Sequence, residues 1–129
     1  LRFNNRTMKK YEKVRAMAML EVFSAIIVST PVDKGPLRNN WWVASGQPDR
    51  TMDPKLEDGT DQTKIAEITN EVANLTDPLE DVFFSNNLPY AARIEFDGYS
   101  AKAPEGMVRI NTARWPSIVR SMAKRVPYA

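Results

Sequence analysis

Residues 83–110, FFSNNLPYAARIEFDGYSAKAPEGMVRI, decide how this chain is read. They set a strand-like run, an Asn86-Asn87 turn, a Pro89-Tyr90 helix start, a Gly98 turn and a second strand-like run in one compact unit. Val82, Phe83 and Phe84 centre a strand over 81–85, since aromatic and β-branched residues suit a pleated surface. Pro89 lies near the N-terminus of a short helix over 90–96, where its missing amide costs little, and Asp97-Gly98 closes that helix. After Ala103-Pro104-Glu105-Gly106, the run 107–110 reads as a last strand with Arg109 on its outer face. Glu95 and Asp97 flank Phe96, but a spacing of two on a helix points them in different directions. Ion pairs to Arg93 or Arg109 suit them better than paired acid–base work. The unit reads as a junction between a small sheet and its helices, and it holds no obvious catalytic group.

Upstream, residues 5–29 read as one long helix. Met8, Tyr11, Val14, Ala18, Val22 and Ala25 recur at helical spacing, and Met17, Leu20, Phe23 and Ile27 form an adjoining apolar row. The second half is therefore apolar around much of its circumference and calls for cover on more than one side, from its own sheet or from a neighbouring subunit. Thr30 ends it, because a residue before proline is pushed out of the helical region. Pro31, Asp33 and Gly35 then make a turn. A strand over 37–45 sends Trp41 and Trp42 to opposite faces, one into the core and the other beneath a helix or a partner subunit.

Residues 46–62 hold Pro48, Pro54, Gly59 and a run of acidic residues, which reads as a flexible acidic loop or arm. Ile65, Ile68, Val72 and Leu75 place an amphipathic helix over 63–75, capped by Asp61 or Thr63. Residues 111–125 give a last helix capped by Asn111 or Thr112, with Pro116 early enough to be tolerated and Trp115, Ile118, Val119 and Met122 on its buried face. Residues 126–129 read as a loose tail. The expected architecture is α+β: a long N-terminal helix, a small mainly antiparallel sheet, and two further helices including a C-terminal one.

The 129 residues fit a single domain spanning 1–129, large enough for one core. No Cys removes disulfides and thiolate chemistry, and no His removes the commonest neutral-pH base and zinc ligand. No apolar run is long enough to span a bilayer, and no signal peptide is evident. The net charge is only +2, yet it is unevenly spread. Arg2, Arg6, Lys9, Lys10, Lys13 and Arg15 make the start basic, and Lys102, Arg109, Arg114, Arg120, Lys124 and Arg125 do the same for the end. Between them Asp49, Asp53, Glu57, Asp58, Asp61, Glu67, Glu71, Asp77, Glu80 and Asp81 face only Arg50, Lys55 and Lys64. Such polarity suits self-association, one subunit's acidic segment meeting a neighbour's basic helix; solvated faces of a monomer are the plainer alternative.

Three chemistries compete with a purely structural role. Asp49, Asp53, Glu57 and Asp58 match no EF-hand spacing, so no metal is assigned. Pro48-Asp49 with Asp53-Pro54-Lys55 gives a nuclease-like acidic-basic pattern, without enough chain between the pieces to build its strand. The basic ends and a pI near 9.0 are compatible with a small nucleic-acid-binding module, but no stretch interleaves them with aromatics.

The stretches SNNLPYAARIEF and APEGMVRI, together with TPVDKGPLRNNW over 30–41, resemble the tail-completion, or neck, proteins of long-tailed bacteriophages, a family similar to minor tail protein Z of lambdoid phages. Pro36 departs from that pattern. The resemblance implies a structural virion protein at the head-tail joint, not an enzyme and without cofactor. It implies a homo-oligomeric ring of six or twelve copies, assembled in the host cytoplasm, that surrounds the DNA channel without sequence-specific binding. Its neighbours would be head-completion or adaptor, tail-terminator or tail-tube proteins, with no membrane involved. On that reading Trp41, Trp42, Asn86, Asn87, Pro89, Tyr90, Arg93, Glu95, Met107 and Arg109 are candidates for the subunit or partner interface. Asp49, Asp53, Glu57, Asp58 and Asp61 are candidates for an acidic, channel-facing loop.

Overall fold

The computed structural model describes residues 4–32 and 35–127. Asn4 accepts the Thr7 amide at 2.8 Å and opens α1 (Asn5–Ser29), which ends where Thr30 turns extended ahead of Pro31. Ala18, Met19, Val22, Phe23, Ile26 and Ile27 are its buried residues, so the stripe sits in the second half. Of the two expected rows, Val22, Ala18, Phe23 and Ile27 enter the core, while Tyr11 is exposed and Met17 and Leu20 are partly covered. The cover comes from this chain's own elements: α3 (Asp61–Ala73) packs along α1, and so does α6 (Trp115–Arg125).

Among the described residues the sheet has two antiparallel strands, β1 (Trp41–Ser45) and β2 (Val82–Asn86), with Trp41 opposite Asn86 and Ser45 opposite Val82. Residues 37–40 are not part of β1. They belong to a single helical turn, α2 (Pro36–Asn39), and its cap Asn40, because Pro36 supplies a ready-made first helical position after Gly35. Gly35 has φ +102°, and a Cβ there would lie 2.5 Å from the Glu57 carbonyl oxygen, so the turn requires glycine. Asp33, assigned to the same turn, lies outside the described residues.

The third strand expected over 107–110 does not form. Gly106 carries the chain into Met107 and Val108, and α5 (Arg109–Thr112) follows at once. The amides that a ladder would use are taken instead by the carboxylate of Glu95 in α4 (Ala91–Phe96). The last helix is likewise divided. Asn111 does not cap it but donates its side-chain amide to Ser29 Oγ at 3.0 Å and to the Met107 carbonyl at 2.6 Å. α6 begins at Trp115, with Arg114 as its cap residue and Pro116 in its first turn. α6 buries Ile118 and Met122, and Val126 just after it is buried too, while Trp115 at its first position stays exposed. Val126 therefore belongs to the core rather than to a loose tail, while Tyr128 and Ala129 lie outside the described residues. α3 starts earlier than its periodicity indicates, because Thr60 is the cap and Thr63 supplies the capped amide, at 3.2 Å.

Three aromatic rings tie the layers together. Phe84 of β2 stacks on Phe23 of α1, centroids 4.2 Å apart, and on Trp41 of β1, centroids 4.8 Å apart. The Trp41 indole N–H donates to Thr30 Oγ1 at 3.0 Å, and that hydroxyl donates to the Ile26 carbonyl at 2.7 Å. The buried indole is thus hydrogen-bonded, and the end of α1 is fixed to the first residue of β1. Replacing Trp41 by Ala is expected to lower unfolding free energy by about 3–5 kcal/mol in urea titrations. Trp42→Ala, on the half-buried opposite face, is expected to cost clearly less than Trp41→Ala.

Candidate assembly surface

Three of the ten sequence-derived interface candidates lie inside the molecule. Trp41 and Met107 are core residues, and Glu95 is buried. Within one chain these three belong to the scaffold rather than to its outer surface. Glu95 Oε1 accepts the amides of Met107 and Val108, each at 2.7 Å, and Oε2 accepts the Arg109 amide at 2.9 Å and Arg109 Nε at 3.0 Å. A guanidinium nitrogen of Arg109 also donates to the Glu95 carbonyl. Of the two expected ion-pair partners, Arg109 is the one used. Gly106, at φ +89°, lets this happen: a Cβ there would lie 2.6 Å from the Glu95 carbonyl oxygen. Burial is the largest single influence on this carboxyl and pushes its pKa up. The amide donations of Val108, Arg109 and Met107, with the Arg109 side chain, together outweigh it and hold the pKa below the ordinary value. With both oxygens committed, Glu95 is a backbone clamp.

Asn86 and Asn87 also hold backbone. Asn86 donates to the Leu37 carbonyl at 2.7 Å, and Asn87 donates to the carbonyls of Asp49 and Thr51, each at 2.9 Å. Trp42 is half-buried under α3, with Lys64 Nζ 4.6 Å from its ring centroid. The candidates that stay outside are Asn87, Pro89, Tyr90, Arg93 and Arg109. Arg93 lies over Tyr99, 4.2 Å from its centroid, and Arg109 over Phe96 at 5.0 Å. Phe96 is 65% exposed and Tyr99 60%, making an aromatic–arginine surface on α4 and the turn after it. Sequence reasoning passed over both rings. Their signal was an aromatic on each side of Asp97-Gly98, where a turn offers no core to enter.

The segments quoted for the resemblance lie against each other. A cleft of about 650 Å³ runs between Pro31, Gly35, Pro36 and Leu37 on one side and Tyr90, Ile94 and Tyr99 on the other. A second, apolar groove of about 550 Å³ follows α1 between Leu79, Val82 and the Trp115 end of α6. Arg15 anchors its rim by donating to the carbonyls of Pro78 and Glu80.

The acidic segment is irregular over 46–60, and Asp61 already belongs to α3, where it pairs with Arg38 at 3.5 Å. Asn40 grips the segment at Asp53, accepting its amide at 2.8 Å and donating to its carbonyl at 2.9 Å. Asp49 accepts the Thr51 amide at 2.8 Å; bonds from the Thr51 side chain and then its backbone hold the Asp49 pKa below the ordinary range. Glu57 and Asp58 are exposed. Among the described residues no cluster of three acidic side chains is placed to hold a metal ion, and no helix is long and apolar enough to cross a membrane. No family model, curated protein or solved structure matches this chain.

The Glu95 clamp has a pH signature. Because its folded pKa is depressed, its stabilisation is fully present above the unfolded carboxyl value of about 4.3 and is lost as pH falls through the lower folded value. Glu95→Gln keeps the shape but replaces an acceptor oxygen by a donor, and is expected to cost about 1–3 kcal/mol at pH 7. Urea midpoints measured from pH 7 to pH 3 should fall less steeply for the variant than for the parent chain.

Proposed function

We propose that this chain is a structural protein of the virion of a long-tailed bacteriophage, placed at the head-tail joint as one copy in a ring of six or twelve. The ring completes the tail or neck and offers a docking surface to the adjoining head-completion or adaptor, tail-terminator or tail-tube protein. It encloses the channel through which DNA passes. The observation that carries this reading is that the two stretches resembling the neck family, far apart in sequence, close on one another. The Asn86 amide grips the Leu37 carbonyl, and Lys102, just before the APEGMVRI stretch, reaches the Val32 carbonyl at 2.9 Å. Their shared outer surface carries Tyr90, Phe96 and Tyr99 with Arg93 and Arg109, the residue types that anchor protein interfaces.

Two further features support an assembly role. The α1–α6 groove leaves apolar surface open, with Leu79 58% and Trp115 37% exposed. Glu95, the buried carboxylate, is saturated with donors, which suits a scaffold rather than proton transfer. The exposed Glu57 and Asp58, with Asp49 and Asp53, are proposed to face the channel, where like charge keeps the DNA backbone from adhering.

Light scattering over a concentration series, followed by negative-stain imaging, tests the proposal. The expected result is a closed ring of defined mass. A protein that stays monomeric throughout and retards DNA overturns the ring in favour of a nucleic-acid-binding module. Magnesium-dependent DNA cleavage abolished by Asp53→Ala overturns it in favour of a nuclease.

A further inference from the structure

We infer that neighbouring copies meet head to tail through α3 of one and α6 of the next, an inference that rests on the ring proposed above. Glu67 and Glu71 lie four residues apart on the exposed side of α3, and Arg120 and Lys124 lie four apart on the exposed side of α6. Four residues is about one helical turn, so each pair forms a short charged ladder of the same pitch and opposite sign. Small polar residues fill the positions beside the charges, Asn70 on α3 and Ser117 and Ser121 on α6, and all three are exposed. Two such helices can therefore lie side by side without a bulky side chain between them.

The fold keeps these ladders from satisfying each other within one molecule. Each helix packs along α1, and the close packing of both is with α1. Glu71, Arg120 and Lys124 have no ion pair among the described residues. Glu67 uses only Oε2, on Lys64 at 3.1 Å, and its side chain is 60% exposed. The chain from Asn111 to its last residue contains Arg114, Arg120, Lys124 and Arg125 and no Asp or Glu. The charged residues among the exposed positions of α3 are Glu67 and Glu71, while its single lysine, Lys64, is buried. A two-fold contact of α3 with α3, or of α6 with α6, sets like charges together. Pairing α3 with α6 of the next copy sets opposite charges together and leaves one ladder free at each end, the condition for a ring. Nucleic acid is the less favoured occupant of the α6 ladder, because the helix's one aromatic, Trp115, lies at the α1 groove, about 140° or more around the helix from Arg120 and Lys124, where it offers no stacking platform beside them.

The test uses two variants of the whole chain, R120E/K124E and E67Q/E71K, the second leaving an acceptor oxygen beside Lys64. Light scattering at low salt should show each variant alone needing at least about tenfold higher concentration to assemble than the parent chain. An equimolar mixture should recover assembly, since the reversed α6 of one meets the reversed α3 of the other; that recovery also shows that both fold. If each variant forms rings as readily as the parent chain, or if the mixture fails to recover, this pairing is overturned while the ring stands. If the parent chain is monomeric throughout, the ring and this pairing fall together. If R120E/K124E abolishes DNA retention but leaves the mass unchanged, the α6 ladder belongs to nucleic acid instead.

Discussion

Everything else in the molecule hangs on the stacking of Phe84 between Phe23 and Trp41. A two-stranded ribbon is marginal by itself, since it has too little apolar area on one face to hold its register. Here the ribbon is pinned to α1 by one ring from each strand and one from the helix, and the Trp41 indole is tied through Thr30 to the last turn of that helix. With the ribbon fixed, α3 closes one flank of α1 and α6 another, and the turns between them are free to carry surface features.

A second constraint works on the other side of the fold. Residues 107–109 have backbone amides to satisfy and no strand beside them, and the Glu95 carboxylate takes all three. This clamp sets where α5 starts, which in turn brings Asn111 against Ser29 and fixes the direction in which α6 leaves. The Arg109 side chain completes the charge balance and lies over Phe96, so the clamp and the aromatic surface outside it are built from neighbouring residues.

Much of this is legible in the sequence, and the failures have definite causes. The long helix, the two strands, the Pro89 helix start and the opposite fates of Trp41 and Trp42 follow from periodicity, proline placement and strand alternation. Residues 107–110 misled because Met-Val-Arg-Ile has strand propensity, and local propensity yields when a buried carboxylate from twelve residues upstream claims the amides. Trp115 misled because it does share a helix face with Ile118 and Met122, but as the first residue of α6 it lies at the α1 groove, where the fold covers it incompletely. On the surface, Glu95 and Met107 read as contacts because they sit in the stretches that resemble the neck family; in the fold both are buried, Glu95 as an acceptor of backbone amides and Met107 in the core. Lys64 was hidden in plain view: it occupies a core position of the stripe it forms with Ile68 and Val72, where a cation is tolerated only because Asn39 and Glu67 accept from it.

The Glu95 clamp also sets the tempo of its own neighbourhood. A turn at the surface ordinarily trades its amide protons with water quickly, because nothing holds them for long. The three at Met107, Val108 and Arg109 are held instead by one acceptor side chain that is itself shut away from solvent. They can exchange only when that side chain swings out, which exposes all three together, so a short irregular segment opens as one unit, much as a turn of helix does.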